Sequence, residues 1–246
     1  MTASSVKKSS ASDALLVPGA TQLHLWLCHR DAVPDSDHFL RSVLSRYTAI
    51  AARRLEITRG KHGKPELLFP ASPLAFNLSD SAEYLAMVIS GGAAVGVDLE
   101  YCDPGRDVLK LARRFFSTAE LADLEACPAA RRAGRFYDYW TLKESHIKSF
   151  GGSLGRELEA ACFALLYPGG APNKNEPGRI VTPDTAPAEA AWYGLMQPLA
   201  DYRLAVCCRA PLDFTRGLRL YQWPDLSADG SFLRLLASSS AAAFAG

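Results

Sequence analysis

Two short segments constrain this chain more than any others. Gly96–Glu100 (GVDLE) ends an apolar run with carboxylates at alternate positions, and Trp140–Lys148 (WTLKESHIK) sets a Lys-Glu-Ser triplet and a further lysine on a stretch that reads as a helix. On a strand, Asp98 and Glu100 share one face while Leu99 points to the other. Carboxylates that close repel, and each raises the other's pKa unless positive charge stands between them. A divalent cation supplies that charge, and Mg²⁺ takes a few carboxylate oxygens and leaves its other positions to water and substrate phosphates. A solvent-exposed strand end accounts for the same pair with no ligand.

In the helical segment, Glu144 and Lys148 have the spacing of a surface pair worth roughly 0.3–0.5 kcal/mol. Trp140, Leu142, Ile147 and Phe150 point instead to a buried helix. Lys143, Glu144, Ser145, His146 and Lys148 on such a helix need partners. A metal and a phosphate would serve several at once, although a lone histidine such as His146 more often packs than ligates. The turn RGKHGKP puts Arg59, Lys61 and Lys64 near the amides of a glycine-containing loop. That suits a phosphate or an adenine edge, and it also describes many surface turns.

Alternation predicts strands over Gln22–Arg30, Leu74–Ser81, Ala190–Gln197 and Tyr202–Ala210. Glu83–Ser90 and Ala93–Glu100 flank Gly91-Gly92, a pattern that predicts a β-hairpin. Helical spacing covers the first half of His38–Ile57, then Val108–Ser117, Ser117–Cys127 and Ala130–Phe150. Ser117 or Thr118 caps the third of these with Glu120 in its first turn. Gly151-Gly152 ends the fourth. The expected class is α+β: a disordered start over 1–13, an N-terminal half over 14–95, a C-terminal half over 96–212 and a tail over 213–246.

With 246 residues, 48% hydrophobic and 22% charged, the chain can build a substantial core. A net charge of +1 gives no global basic field for nucleic acid. No apolar run is long enough to cross a bilayer, and no sustained apolar stretch follows the N-terminal lysines as in a secretory signal. The six cysteines lack metal-type CxxC spacing, and adjacent Cys207 and Cys208 should point to opposite faces of a strand. Free thiols in a reducing cytoplasm are the expected state.

The order GKP, FNLSDS, GVDLE, RRFFS, WTLKESHIKSFGGSL resembles the 4′-phosphopantetheinyl transferases, of the large type that activates surfactin synthetase. The resemblance is close over about residues 60–155 and loose on the flanks. It implies a pseudo-dimer of two similar halves, with coenzyme A and Mg²⁺ in the cleft between them. By position, Asp98, Glu100 and Glu144 would hold the metal. Lys148 would contact the pyrophosphate with Lys143 nearby, Lys64 would face the 3′-phosphate or adenine, and Ser79 and Asp80 would lie beside the nucleotide. The implied reaction is attack of a carrier-protein serine on the β-phosphorus of coenzyme A, releasing 3′,5′-ADP, with Glu144 or a metal-bound water as general base. The partner would be an apo acyl or peptidyl carrier protein of fatty-acid, polyketide or peptide synthesis. It would meet a cytoplasmic monomer, with Arg113, Arg114, Arg131, Arg132 and Arg135 facing its acidic helix.

Two departures stand against the pattern. Asp80 replaces the family's usual histidine, and an ionised Asp cannot donate to a phosphate. Cys28–Phe39 is a short acidic loop where relatives carry a long basic stretch. A degenerate binder of coenzyme A or carrier protein, and a Mg²⁺-dependent nucleotide phosphohydrolase, are the competing expectations.

Overall fold

The computed structural model describes residues 15–60, 63–152, 158, 161–167, 170, 172, 176–182, 190–224 and 233–239. The segment 1–13 and the turn residues Lys61 and His62 lie outside them. In chain order, β1 (Leu23–His29) leads to α1 (Ser36–Thr48), then to the ribbon of β2 (Glu56–Arg59) and β3 (Pro65–Phe69). The strands β4 (Ala75–Ser81), β5 (Tyr84–Ser90) and β6 (Val95–Tyr101) follow, then α2 (Val108–Phe115), α3 (Thr118–Ala126) and α4 (Ala129–Phe150). The strands β7 (Ala164–Leu166), β8 (Gly178–Val181), β9 (Trp192–Gln197), β10 (Tyr202–Cys208), β11 (Leu218–Trp223) and β12 (Arg234–Ser238) complete an α+β fold.

The strands form two large sheets, ordered β11-β1-β5-β4 and β6-β10-β9-β12-β8-β7. Their facing sides share one core, where Leu25, Leu27, Ala86 and Val88 meet Val97, Leu99, Leu204 and Val206. The outer face of the first sheet is covered by α1, whose Phe39, Leu40, Val43 and Leu44 pack on Trp26, Leu85, Met87 and Ile89. The outer face of the second carries α4, with Phe136, Tyr137 and Leu142 against Leu195, Ala205 and Cys207. The order is therefore helix, sheet, sheet, helix, each element burying its apolar side. Cys207 sits in the core under α4 and Cys208 in the core between the sheets, as strand alternation requires. All six cysteines are free thiols.

The expected hairpin across Gly91-Gly92 does not form. β5 pairs with β1 and β4, and β6 pairs with β10 in the other sheet. Both runs are apolar enough to be central strands, and Gly92, at φ 145°, turns the chain from one sheet to the other. The segment 213–246, expected as a tail, supplies β11 to the first sheet and β12 to the second.

The two sheets also meet edge to edge. β4 and β6 run side by side, and the open amides of β6 are taken by side chains of β4. Val97 N donates to Asn77 Oδ1 (2.9 Å), Leu99 N to Ser79 Oγ (3.2 Å) and Tyr101 N to Ser81 Oγ (3.0 Å). Alternate residues share a strand face, so one face of FNLSDS answers three edge amides that would otherwise lack partners. Among the described residues, no helix is long and apolar enough to cross a membrane.

Candidate functional site

The site is built where β6 crosses α4. Gly96 sets the approach: a Cβ there would stand 2.0 Å from the Ser145 carbonyl oxygen and 2.6 Å from Ser149 N. Both are backbone atoms of α4 and cannot move aside, so only glycine lets the strand lie on the helix. The next residues on that face are Asp98 and Glu100, opposite the turns of α4 that carry Glu144 and Lys148.

Lys148 Nζ donates to Asp98 Oδ1 at 2.6 Å and to Ser79 Oγ at 3.1 Å. Asp98 is 3% exposed, and its Oδ2 is buried with no hydrogen-bond partner. Burial pushes the Asp98 carboxyl up against the pull of Lys148 and Ser79. Burial and then the Asp98 charge push Glu100 up as well. Glu144 is raised to about 7 by burial and by Asp98, opposed by Lys148, with Glu100 adding to the rise. Three carboxylates thus repel one another around one lysine.

Among the described residues, no three His, Cys, Asp or Glu side chains converge as a ready ligand set. Lys148 instead holds Asp98. The donors still fit a hard divalent cation: all are oxygens, one is buried with free lone pairs, and their mutual repulsion favours added positive charge.

The other expected site residues separate into distinct places. Lys64, on the turn between β2 and β3, donates to the Lys148 carbonyl oxygen at 3.1 Å, which brings its ammonium to the last turn of α4. Burial lowers its pKa, opposed by Glu66. Ser79 is buried and its hydroxyl is committed to β6 and Lys148. Asp80 points to the opposite side of β4 and pairs with Arg30 Nη2 at 2.6 Å, both half exposed.

Lys143 is a correction. It is wholly buried, and its Nζ reaches Glu120 Oε2 (2.9 Å) and the carbonyls of Leu158 and Ala161 (2.6 Å each). Five helical positions separate it from Lys148, a rotation of about 140° that turns it away from Asp98. His146 packs, as expected of a lone histidine, with Nδ1 and the Tyr193 hydroxyl 2.6 Å apart, and burial lowers its pKa to about 4.

Asn77, Ser81 and Glu120 were not singled out as site residues from the sequence, although the alternation Asn-x-Ser-x-Ser on a strand was a readable signal. Phe116 is core, stacked on Phe136, whereas Arg113 and Arg114 are exposed, Arg113 against Glu125. Farther toward the N-terminal end of α4 lies a cavity of about 490 Å³ lined by Arg131, Arg135, Asp138 and Arg203 among others. None of Asp98, Glu100, Glu144 or Lys148 lines it, and its Arg135 and Arg203 are paired with Asp123 and Asp138.

Comparison with known proteins gives this geometry a context. Residues 94–207, which hold all three carboxylates and Lys148, match the model of a family described as the 4′-phosphopantetheinyl transferase superfamily. The chain is 33% identical over 162 residues to 4′-phosphopantetheinyl transferase HetI of Nostoc sp., a match covering 65% of this chain and 64% of that protein. It is 29% identical over 195 residues to 4′-phosphopantetheinyl transferase Sfp of Bacillus subtilis strain 168, covering 77% and 79%. A further Bacillus subtilis 4′-phosphopantetheinyl transferase is 28% identical over 203 residues, covering 80% and 81%. The match to HetI thus spans just under two thirds of that relative's length.

Proposed function

We propose that this chain, whose residues 94–207 match the 4′-phosphopantetheinyl transferase superfamily, moves the phosphopantetheine arm of coenzyme A onto a serine of an apo acyl or peptidyl carrier protein. One observation supports this most. Asp98 and Glu144, both buried, and the partly buried Glu100 repel one another, only Asp98 Oδ1 is held by a lysine, and Asp98 Oδ2 has no partner.

In this reading Asp98, Glu100 and Glu144 are the residues that would hold Mg²⁺. When bound, Mg²⁺ would offset charge on the pyrophosphate oxygens. Lys148 exchanges Asp98 for the pyrophosphate, and Lys64, beside the same helix turn, faces the nucleotide end. Glu144 takes the proton of the carrier serine as its oxygen bonds to the β-phosphorus. The bond from that phosphorus to the bridging oxygen breaks, and 3′,5′-ADP leaves with the bond's electrons.

We place the halves of a pseudo-dimer at 14–95 and 96–212, which meet along β4 and β6, with 213–246 adding a strand to each sheet. Both halves lie in one chain, so a monomer suffices to build the cleft. The six free thiols are in keeping with the cytoplasm. The exposed Arg113 and Arg114 would meet the acidic helix of the carrier.

The test is incubation with Mg²⁺, coenzyme A and several apo carriers. We expect a mass gain of one phosphopantetheine arm on at least one carrier, absent without Mg²⁺. Coenzyme A binding without transfer to any carrier would indicate a degenerate binder. Phosphate release from coenzyme A with no carrier present would indicate a phosphohydrolase.

A further inference from the structure

The ladder between β4 and β6 has a second half. Ser79 Oγ accepts from Leu99 N and lies 3.1 Å from Asp98 Oδ1, to which it donates. Ser81 Oγ accepts from Tyr101 N and donates to Glu100 Oε2 at 3.2 Å. Each serine therefore grips an acid and the amide that follows it. The two strands run in the same direction at a constant offset of 20 residues, so Ser-x-Ser meets Asp-x-Glu in register. Ser79 also accepts from Lys148 Nζ, which uses its one donor and both acceptor sites. Asn77 makes the same kind of ladder bond, to Val97 N, but the residue before that amide is Gly96, so no carboxylate is there to grip.

We propose that Ser79 and Ser81 are positioning residues that hold the side chains of Asp98 and Glu100 in the orientation needed to bind the cation. The proposal rests on the reading of those two acids as cation ligands. A free Asp or Glu side chain on an open strand edge samples several rotamers. Here each has one oxygen tied to a serine on the neighbouring half of the molecule. In Asp98 this leaves Oδ2 as the oxygen without a partner. Such partners of ligating groups fix orientation, and their loss typically costs about 10–100-fold in metal affinity. The device also ties the acids to the contact between the sheets, so a cation could be bound well only when β4 and β6 lie in register.

The experiment is a Mn²⁺ titration followed by electron paramagnetic resonance, on the full chain with and without coenzyme A. Ser79→Ala and Ser81→Ala should each weaken Mn²⁺ binding about tenfold. Ser81→Thr, which keeps the hydroxyl, should restore it. Asn77→Ala removes one ladder bond and no acid contact. It should lower the unfolding midpoint while leaving Mn²⁺ affinity within about twofold of the parent, the change expected if ligand orientation is untouched. Wild-type affinity in both serine variants, or equal weakening in Asn77→Ala, would overturn the proposal and leave the cation reading standing. A parent protein that takes up no Mn²⁺, or an Asp98→Ala variant that binds as well as the parent, would overturn both. If Ser79→Ala does not fold, Ser81→Ala decides, because Ser81 is only half buried at the strand end.

Discussion

α4 carries two lysine–carboxylate pairs, and they are opposites. At Lys143 the pair is closed. Glu120 accepts from Ser117 N, Phe163 N and Lys143, and all three donors of Lys143 are taken. At Lys148 the pair is open. One oxygen of Asp98 takes two donors, the other takes none, and two more carboxylates stand near enough to repel it. The closed pair ties α3 and the backbone of Leu158, Ala161 and Phe163 to α4. The open pair is an arrangement that added positive charge would complete. Burial alone does not separate the two pairs on this helix; the count of satisfied oxygens does.

The sharpest way to break this contrast is to remove the open carboxylate. Asp98→Ala should lower transfer by more than about 100-fold, above the cost of losing an outer partner of a metal ligand, while the unfolding midpoint stays near that of the parent. Retained transfer at saturating Mg²⁺ would remove Asp98 from the site. The closed pair should behave the other way. Lys143→Met leaves Glu120 buried and unpaired and should cost about 3–5 kcal/mol in denaturant unfolding. The folded fraction should keep its turnover, and a loss of kcat with unchanged stability would return Lys143 to the chemistry. Gly96→Ala should lie between the two. It forces β6 off α4, with a cost of about 1–3 kcal/mol and a parallel fall in activity, because the open pair spans that contact. The smallest effect belongs to Asp80. Its pair with Arg30 is half exposed, so Asp80→Ala should change stability by less than about 1 kcal/mol. It should lower KM for coenzyme A a few-fold if Asp80 repels the nucleotide, and an unchanged KM would place Asp80 away from it.

Much of this contrast could be read from the sequence, but not all. The alternation of GVDLE put both acids on one face, and Ser117 with Glu120 announced the capping box that the structure contains. Gly151, at φ 70°, ends α4 where the glycine pair predicted. What failed was partnership. Apolar periodicity says that a segment is a buried strand, but not which strand lies beside it, so β5 and β6 were expected as partners and went to different sheets. Lys143 and Lys148 stand in one motif, but the five helical positions between them turn the two ammonium groups to different sides of α4. The partners of Lys143 come from Glu120 and from carbonyls at Leu158 and Ala161, and no local pattern points to them.

The parallel pairing of β1 with β11 has a consequence for how the protein is made. Residues 23–29 leave the ribosome well before residues 218–223, which supply the neighbour on one side of them. Until those residues emerge the first sheet presents an unfilled edge, the kind of surface that invites pairing with other chains. The exposed rows must be shielded or kept loose until residues 218–223 are out. A chain cut before residue 218 would hold an unfinished sheet.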